Sequence, residues 1–403
     1  MRTETDILIA GGGMVGAALA AALRSTGIRV TVVEAVPQRA PSQPSFDDRS
    51  TALAWTSRRI LEALDAWAAL AEDAYPIEHV HVSQQRRFGV TRLHAMEENL
   101  PALGYVIPNR ALGRVLVSSM QDAANVEFLS PAKVTGIQQD KECITADIES
   151  GEKQHQITAR LLVVADGARS PLRDMLGISA RRWNYGQSAI VCNLETERDH
   201  GNVAFERFTP EGPMALLPLG ARRAALVLVE RSDIVEDVMA LDDAAFLARV
   251  QKRFCTRLGA LQRAGRRDTY PLALVTAERQ VADRAVILGN AAHSLHPIAG
   301  QGFNLSLRDV AVLAEVIAAN ADDPGAVDAL DEYARWRRRD QRNVVAFTDL
   351  LNRLFGIPFG LAAHARGLGL LGMDLFPGLR REFSRHAMGR AGKLPRLARG
   401  LPL

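Results

Sequence analysis

Apolar and polar positions change their period along the first part of the chain. Asp6–Ala10 is an apolar run that ends in glycines, and Val15–Leu23 is rich in Ala and Leu with helical character. Ile28–Val33 is β-branched and strand-like. The pattern predicts a strand, a helix and a second strand, which is the opening of an α/β fold.

Two later apolar runs have the length of buried parallel strands. Leu161–Ala165 and Ala285–Leu288 are short and wholly apolar, and each is followed by a glycine-containing motif. Val310–Ala319 and Ala329–Phe347 are predicted to be helices. We expect the three apolar strands to join one nucleotide-binding sheet, although they are far apart in sequence.

A different pattern lies between these strands. Ser57–Ala71 has helical spacing, while His79–Arg92 and a longer block from Ser188 to Glu230 alternate as strands do. The block contains four predicted strands, which are Ser188–Leu194, Val203–Phe208, Met214–Leu219 and Ala224–Val229. We interpret it as an antiparallel sheet inserted as a second domain. The predicted division gives residues 1–75, 100–183 and 270–345 to a nucleotide-binding domain, 76–99 and 184–269 to a substrate domain, and 346–403 to a helical, basic tail.

Composition narrows the class of protein. Of the 403 residues, 47% are hydrophobic and 24% are charged, which is usual for a soluble globular protein. The net charge of +3 provides no general attraction for nucleic acid. Cys143, Cys192 and Cys255 lie far apart, so neither a disulfide framework nor a metal site is expected, and a reducing, cytoplasmic location fits. No apolar run has the roughly 18 residues of a membrane span, and the strand pattern at Asp6 leaves no room for a secretory signal.

The first glycine motif lies between the first strand and the first helix. Gly11, Gly13 and Gly16 form a G-x-G-x-x-G, in which the glycines permit a tight turn, a close approach to a pyrophosphate and close helix–strand packing. The N-terminus of the helix then faces the phosphates with free N–H groups. Glu34 ends the second strand, where a carboxylate can bind a ribose diol. The motif predicts FAD or NAD, and does not by itself separate them.

Two further motifs follow the other apolar strands. Asp166-Gly167 forms a sharp turn after the second of these strands. Gly289-Asn290 opens the third motif, whose small residues from Pro297 to Asn304 can lay backbone N–H groups against a flat ligand. The two histidines of this loop are more simply explained as hydrogen-bonded loop residues than as catalysts. No third ligand stands at the spacing of a zinc site.

These three motifs, in this order, resemble the single-component flavin aromatic hydroxylases typified by para-hydroxybenzoate hydroxylase. Within that group the details resemble the hydroxylases of ubiquinone biosynthesis, through Phe46–Arg49, Ala204–Pro213 and His296–Leu305. The resemblance covers nearly the whole chain. It implies an FAD-binding, Rossmann-like domain with an inserted antiparallel-sheet substrate domain. Asn290 replaces the Asp of the wider group, but an amide still accepts a hydrogen bond, and the ubiquinone hydroxylases share this Asn.

The resemblance implies a role for each motif in binding FAD. The first motif would hold the pyrophosphate and Glu34 the adenosine ribose. The Asp166-Gly167 turn would lie near the pyrophosphate and the pyridine nucleotide, and the last motif would line the isoalloxazine. The cofactor-binding residues expected on this basis are Gly11, Gly13, Gly16, Glu34, Arg49, Arg110, Asp166, Gly167, Gly289, Asn290, Pro297, Gly300, Gly302, Phe303 and Asn304.

The implied reaction is hydroxylation of a polyprenylated phenol such as 2-polyprenyl-6-methoxyphenol. NADPH or NADH would visit transiently to reduce FAD, and O2 would add at the flavin C4a to give the hydroperoxide that transfers an oxygen atom. Tyr185 and His296 are candidates for a general base, and each is more simply structural. Two alternatives stay open, which are a flavoenzyme of the same fold acting on another lipid or soluble phenol, and a non-catalytic flavoprotein subunit of an assembly.

Charge is concentrated at the end of the chain. Residues 353–399 contain nine Lys/Arg against Asp374 and Glu382, so the rest of the chain is net negative. Apolar residues precede and accompany these cations, which is typical of interfacial segments. The tail is therefore predicted to contact a membrane surface or a partner protein that carries the lipid substrate. Equally open is the alternative that its apolar residues pack on the nucleotide-binding domain. The apolar residues are Leu354, Phe355, Phe359, Leu361, Leu368, Leu370, Leu371, Leu375 and Phe376.

Overall fold

The computed structural model describes residues 2–37, 49–87, 89–356 and 360–403. Its strands are β1 (Arg2–Ala10), β2 (Val30–Val33), β3 (Ser50–Ala54), β4 (Tyr75–Ile77), β5 (His79–Gln84), β6 (Val90–His94), β7 (Gly104–Pro108), β8 (Val126–Leu129), β9 (Lys133–Gln139), β10 (Ile144–Ser150), β11 (Lys153–Val164), β12 (Ala180–Thr196), β13 (Val203–Thr209), β14 (Gly212–Pro218), β15 (Arg223–Arg231), β16 (Leu261–Ala264), β17 (Asp268–Ala277), β18 (Val281–Ala282), β19 (Ala285–Ile287) and β20 (His293–Ser294). Its α-helices are α1 (Met14–Ala22), α2 (Trp55–Ala63), α3 (Trp67–Leu70), α4 (Asn109–Gln121), α5 (Pro171–Met175), α6 (Val235–Met239), α7 (Asp243–Phe254), α8 (Gln301–Ala319), α9 (Val327–Gly356), α10 (Gly360–Leu375) and α11 (Pro377–Ala387).

A mostly parallel sheet carries the three apolar strands of the sequence analysis. Its strand order is β18-β19-β11-β1-β2-β8, and all neighbours from β19 to β8 are parallel. The prediction of one sheet assembled from distant segments is confirmed. Ile7–Ile9 are fully buried because α1, α4 and α8 cover one face, while the β9–β10 hairpin and α5 cover the other. Burial on both faces explains why these strands are continuous apolar runs.

A second, nine-stranded sheet forms the predicted antiparallel block. Its order is β20-β17-β12-β15-β14-β13-β5-β6, with β16 paired to β12. One pair differs from the prediction, since β13 and β5 are parallel. The hairpin of β5 and β6 comes from a distant part of the chain, so no tight turn requires it to join antiparallel. The sheet also extends past residue 269, because β17 and β20 belong to it.

Helix α7 covers one face of this sheet through a core that includes Phe246 and Val250. The other face, with Ala189, Val229 and Leu272, points toward the parallel sheet. A three-stranded sheet of β3, β7 and β4 lies between the two. This layout leaves a space against the nine-stranded sheet. Its other side is lined by the ends of β3, β4 and β7, the start of α4 and the loop from Leu295 to Pro297.

The helices differ from their predicted bounds in two informative places. The pattern at Ser57–Ala71 divides into α2 and α3, and Asp65 between them has a positive φ of 54°. Helix α8 begins at Gln301, well before the predicted Val310, because its first turn is held by tertiary contacts that a periodicity search cannot detect. Helix α9 likewise continues past the predicted Phe347 to Gly356.

The C-terminal segment divides into two parts. Helix α10 runs along the edge strand β6, where the hydroxyl of Thr91 donates to the carbonyl of Leu370 at 2.8 Å. After α11 the chain returns to the first domain, where Leu397 and Ala398 are buried against its core. Leu354, Phe355, Phe359, Leu361 and Arg366 lie outside the described side chains, and Phe46–Asp48 outside the described residues. Within the described chain, every helix falls short of the combined length and apolar content that crossing a bilayer requires.

Candidate active site

The three motifs meet at the carboxyl ends of neighbouring parallel strands. Gly11 ends β1, Asp166 follows β11, and Gly289 follows β19. A side-chain carbon added at Gly11 would collide with the carbonyl of Ala165, and one added at Gly289 would lie 3.2 Å from Val15. The three turns are therefore in direct contact, at the edge where α/β sheets bind nucleotides.

The first loop needs its glycines for space as well as for conformation. Gly11 has a φ of +110°, which side chains rarely adopt. A carbon added at Gly16 would overlap the carbonyl oxygen of Gly11 and lie 3.2 Å from Ile9. Gly13 is the N-cap of α1 and offers no side-chain cap, so the first N–H groups of the helix stay available to an anion.

Glu34 holds the same loop from the end of β2. One carboxylate oxygen accepts the N–H of Gly12 at 2.7 Å, and the other accepts the N–H of Val36 at 2.8 Å. Each oxygen keeps further acceptor capacity, which two vicinal hydroxyls could use. The carboxylate thus shapes the glycine loop and is placed for a ribose beside it.

Asp166 has an incomplete environment. Both of its carboxylate oxygens are buried and complete no hydrogen bond of normal geometry with the described residues. Burial raises the pKa of Asp166 and outweighs the nearby hydroxyl of Ser170 and N–H of Leu172, which lower it. Gly167 follows with a φ of +95° and open space where a side chain would be. An orphaned acceptor beside a glycine cradle fits a ligand with hydroxyl or amide donors, such as FAD.

The third motif is fixed by the side chain of Asn304. Its amide oxygen accepts the N–H of Ala54 at 2.8 Å and the hydroxyl of Ser57 at 2.7 Å, while its nitrogen donates to the carbonyls of Ala52 and Gly300 at 2.8 and 2.7 Å. All four hydrogen-bonding positions of the amide are used. Asn304 therefore holds the first turn of α8 on β3, and only the backbone of this turn remains to line a ligand.

The other residues of the third motif have mixed positions. Gly300 begins α8 with a φ of +59°, and Gly302 has open space where a side chain would be. Phe303 packs against the core of the parallel sheet, and Asn290 is exposed. Contacts of Gly300, Gly302, Phe303 and Asn290 with FAD stay a prediction.

A buried charge network lies beneath this loop. Nε2 of His293 is 2.6 Å from one carboxylate oxygen of Asp309, and the other oxygen accepts from Nε of Arg337 at 2.6 Å and from Gln341 at 2.8 Å. Burial would raise the pKa of Asp309, but the Arg337 guanidinium and the His293 ring lower it to about 2. Asp340 then links Arg337 to Arg308, both at 2.8 Å. The network ties the loop after β19 to α8 and α9.

A cavity of about 500 Å³ lies against the nine-stranded sheet and receives three of the predicted residues. Arg49 and Arg110 line one side and Pro297 lines another. The carbonyl of Arg49 accepts the N–H of Asn109 at 2.8 Å, which places the two arginines side by side. The guanidinium of Arg49 lies 4.3 Å from the ring centre of Tyr270, a cation–π contact.

The opposite wall of this cavity is formed by the nine-stranded sheet. It has an apolar part, formed by Ala189, Val191, Val227 and Leu272 from strands β12, β15 and β17, and a polar part that includes Asn193, Arg223 and Asp268. The apolar part of this wall faces Arg49 and Arg110 across a space of the size that small-molecule sites have. An aromatic ring with an apolar substituent matches both walls.

Tyr185 and His296 lie together next to residues that line this cavity. Their rings are edge to face with centres 5.3 Å apart, and the hydroxyl of Tyr185 donates to Asp349 at 3.0 Å. Burial raises the pKa of Tyr185 and lowers the pKa of His296 to about 4. Among the described residues, the lining of the cavity includes neither side chain. A role of either side chain as a general base stays a prediction.

Sequence reasoning missed Tyr270 and the network around Asp309. The pair Arg308-Asp309 stands inside the apolar stretch from Leu305 to Ile317, and charges in such a stretch indicate buried partners. That signal was present in the sequence, but the partners on α9 could not be identified from it. Tyr270 carried no local signal, because its role depends on β17 lying opposite Arg49.

A glycine-lined nucleotide site joined to a mixed sheet over a cavity is the fold of a flavin-dependent oxidoreductase. The model of the FAD binding domain family matches residues 4–348. The chain belongs to this family and is an FAD-dependent monooxygenase of the aromatic-ring hydroxylase type. The resemblance inferred from the three motifs is confirmed.

Curated relatives match along almost the full chain. Ubiquinone hydroxylase UbiL of Rhodospirillum rubrum is 39% identical, over 99% of this chain and 93% of the relative. The 3-demethoxyubiquinol 3-hydroxylase of Escherichia coli is 32% identical, over 96% of this chain and 98% of the relative.

Solved structures show the same fold at lower identity. The p-nitrophenol 4-monooxygenase PnpA of Pseudomonas putida matches with a TM-score of 0.80 at 20% identity, covering 97% of this chain and all of that one. PqsL of Pseudomonas aeruginosa, a probable FAD-dependent monooxygenase, matches with a TM-score of 0.76 at 24% identity, over 91% and 99% of the two chains.

Proposed function

We propose that this enzyme hydroxylates the aromatic ring of a polyprenylated phenol in ubiquinone biosynthesis, with NADPH or NADH as the electron donor. The observation that carries the proposal is the cavity in which Arg49, Arg110 and Pro297 face a wall whose apolar part is formed by Ala189, Val191, Val227 and Leu272 of the nine-stranded sheet. A phenol ring with a hydrocarbon substituent needs both kinds of wall. The similarity to ubiquinone hydroxylase UbiL and to 3-demethoxyubiquinol 3-hydroxylase supports the same substrate class.

Bound FAD, reduced by the pyridine nucleotide, would supply the activation of O2, from which the transferred oxygen atom comes. The chain would bind its pyrophosphate at the N-terminus of α1, its ribose at Glu34 and a further polar group at Asp166. The backbone of the loop from Pro297 to Gly302 would lie against the isoalloxazine, where the positive end of α8 favours negative charge. The walls of the cavity would exclude water from the reacting groups.

The substrate would be poorly soluble, so the enzyme also needs a route to it. We propose that the C-terminal tail supplies that route by peripheral contact, either with a membrane or with a partner protein that carries the lipid. The basic charge of residues 353–399 supports this part of the proposal.

The test supplies the FAD-loaded protein with NADH or NADPH and either a short-chain prenylphenol or the corresponding alkene without a phenol ring. We expect phenol-dependent oxidation of the nucleotide and a ring-hydroxylated product. A product oxidised on the alkene would indicate a lipid epoxidase instead. No turnover with any substrate, also in the presence of co-purifying partners, would favour a non-catalytic subunit.

A matched pair of variants addresses the cavity itself. Val227 projects into it from β15 and is only partly buried, so Val227→Phe reduces the space without opening a hole in the core. We expect Val227→Phe to raise the KM for the prenylphenol about tenfold or more, and Val227→Ala to leave it nearly unchanged. Equal kinetics for both variants would place the substrate elsewhere.

A further inference from the structure

The turn between α10 and α11 exposes an unbroken apolar segment. Leu375, Phe376 and Leu379 are 64%, 61% and 61% exposed, and the intervening Pro377 and Gly378 are exposed as well. Single exposed apolar residues are ordinary, but a contiguous group marks an interaction surface. We call residues 375–379 the apolar corner.

The corner is held firmly in place by the body of the protein. Asp374, just before it, accepts the N–H of Arg92 on β6 at 3.0 Å. Arg380, just after it, donates to the carbonyl of Asp374 at 2.8 Å and pairs with Glu97 at 3.0 Å. The apolar side chains therefore project from a fixed base, so their exposure is a property of the fold.

Basic residues border the corner on the α11 side. Arg381 is exposed and has no ion pair among the described residues, and Arg385 is exposed beside Glu382 at 3.6 Å. Met96 is 83% exposed and precedes Glu97, so it extends the apolar surface on the other side of the Arg380 ion pair. An apolar centre with cations at its border matches the interface of an anionic lipid membrane.

We propose that the apolar corner, with Met96, Arg381 and Arg385, docks the enzyme peripherally on an anionic membrane. The proposal deepens the proposed function, because a membrane is where a polyprenylated phenol resides. The three apolar side chains would enter the headgroup region while the two arginines contact lipid phosphates. A second copy of the chain fits less well, since two corners brought together would bring their bordering arginines together too.

The surface is distinct from the end of the chain. Leu397 and Ala398 are buried in the core beside α2 and α8, and the N–H of Arg396 donates to Glu315 at 2.6 Å. Truncation of the tail would therefore damage the first domain as well as remove any docking surface. Point substitutions at the corner separate the two effects.

The variants that test the apolar corner are placed at the start of α11. Phe376 is its N-cap and Leu379 its third helical residue, so Phe376→Ser with Leu379→Gln creates a Ser-x-x-Gln capping box. The double variant loses two of the three exposed apolar side chains of the corner while the helix gains a favourable cap. Val327→Ser removes an equally exposed apolar side chain, at 64%, from the start of α9 and serves as the control.

The experiment is flotation of the FAD-loaded full chain with vesicles of phosphatidylcholine alone or mixed with phosphatidylglycerol. We expect wild type and Val327→Ser to float with the anionic vesicles, and the double variant to partition at least about tenfold less. Arg381→Gln should weaken binding to anionic vesicles about fivefold. All variants should retain wild-type kcat on a short, soluble phenol.

Several results would overturn the proposal. Wild type that stays with the bottom fraction at low salt, or that floats equally well with neutral vesicles, excludes anionic-membrane docking. A wild-type dimer that the double variant converts to a monomer, without vesicle binding by either, assigns the corner to self-association. Flotation without phenol hydroxylation would leave the docking surface intact and reject the proposed function, so the two failures are distinguishable.

Discussion

Replacing Asp309 by Asn tests the buried charge network beneath the loop of the third motif. The carboxylate is fully buried and accepts from His293, Arg337 and Gln341 at 2.6, 2.6 and 2.8 Å. An amide oxygen can still accept from Arg337 and Gln341, and the amide nitrogen must then donate to His293. The shape is kept and the charge is lost, so Asp309→Asn isolates the electrostatic contribution.

The structure sets the expected magnitude. Arg337 retains Asp340 at 2.8 Å, so the variant still leaves it one of its two carboxylate partners. The loss in the free energy of unfolding should therefore lie at the lower end of the range for a broken buried ion pair, at about 3 kcal/mol. The pKa of Asp309 gives a similar figure, since lowering from 3.8 to about 2 corresponds to about 2 kcal/mol of stability. Because the folded-state pKa is depressed, this stability is present above about pH 4 and is lost as the pH falls toward 2.

Urea denaturation of the apoprotein measures the effect. The free energy of unfolding of Asp309→Asn should be about 2–3 kcal/mol below wild type at pH 7, and the difference should shrink as the pH falls below 4. Asp233→Asn removes an exposed partner of Arg231 and should cost less than about 0.5 kcal/mol. A loss below about 1 kcal/mol for Asp309→Asn, or a loss that does not change with pH, would refute the reasoning.

Three further predictions concern the glycine loop and the buried histidine. Gly16→Ala should destabilise the protein by about 2 kcal/mol in thermal unfolding, because its added carbon overlaps the carbonyl of Gly11. Gly302→Ala places its added carbon in open space and should stay within about 0.5 kcal/mol of wild type. Equal stability of the two variants would contradict the packing described for Gly16. Gly13→Val should purify without flavin. Asn290→Asp should remain yellow, and denaturation should release its FAD. A yellow Gly13→Val protein would show that the glycine loop does not approach the pyrophosphate. Burial lowers the folded-state pKa of His296 to about 4, so wild type should lose stability as the pH falls from about 6.5 to about 4. His296→Gln should lose less stability over the same range. Parallel plots of unfolding free energy against pH for the two proteins would contradict this.

The meeting of the three glycine motifs could be predicted from the sequence because each motif has a local pattern. Each glycine motif follows a wholly apolar strand, and parallel strands end at the same edge of a sheet, so the meeting of Gly11, Asp166 and Gly289 could be expected from order alone. Arg49, Arg110 and Pro297 were assigned by resemblance, and the structure places all three on the cavity. Their contacts with FAD stay a prediction.

Long-range contacts explain what the sequence could not supply. Asn304 was expected to line the flavin, yet its amide is used in full by β3, α2 and Gly300, which are separated from it by up to 252 positions in the chain. The parallel pairing of β13 with β5 likewise joins distant segments with no local signal. The exposure of Phe376 and the burial of Leu397 divide a tail that looked uniform in composition.

The central claim is that this chain transfers one oxygen atom from O2 to the ring of a prenylated phenol. The most direct measurement is mass spectrometry of the product formed from a short-chain prenylphenol by the FAD-loaded enzyme and NAD(P)H under isotopically labelled O2. The account predicts a ring-hydroxylated product that carries one labelled oxygen atom. A product labelled from water, a product oxidised on the prenyl chain, or nucleotide oxidation that yields only hydrogen peroxide would contradict it.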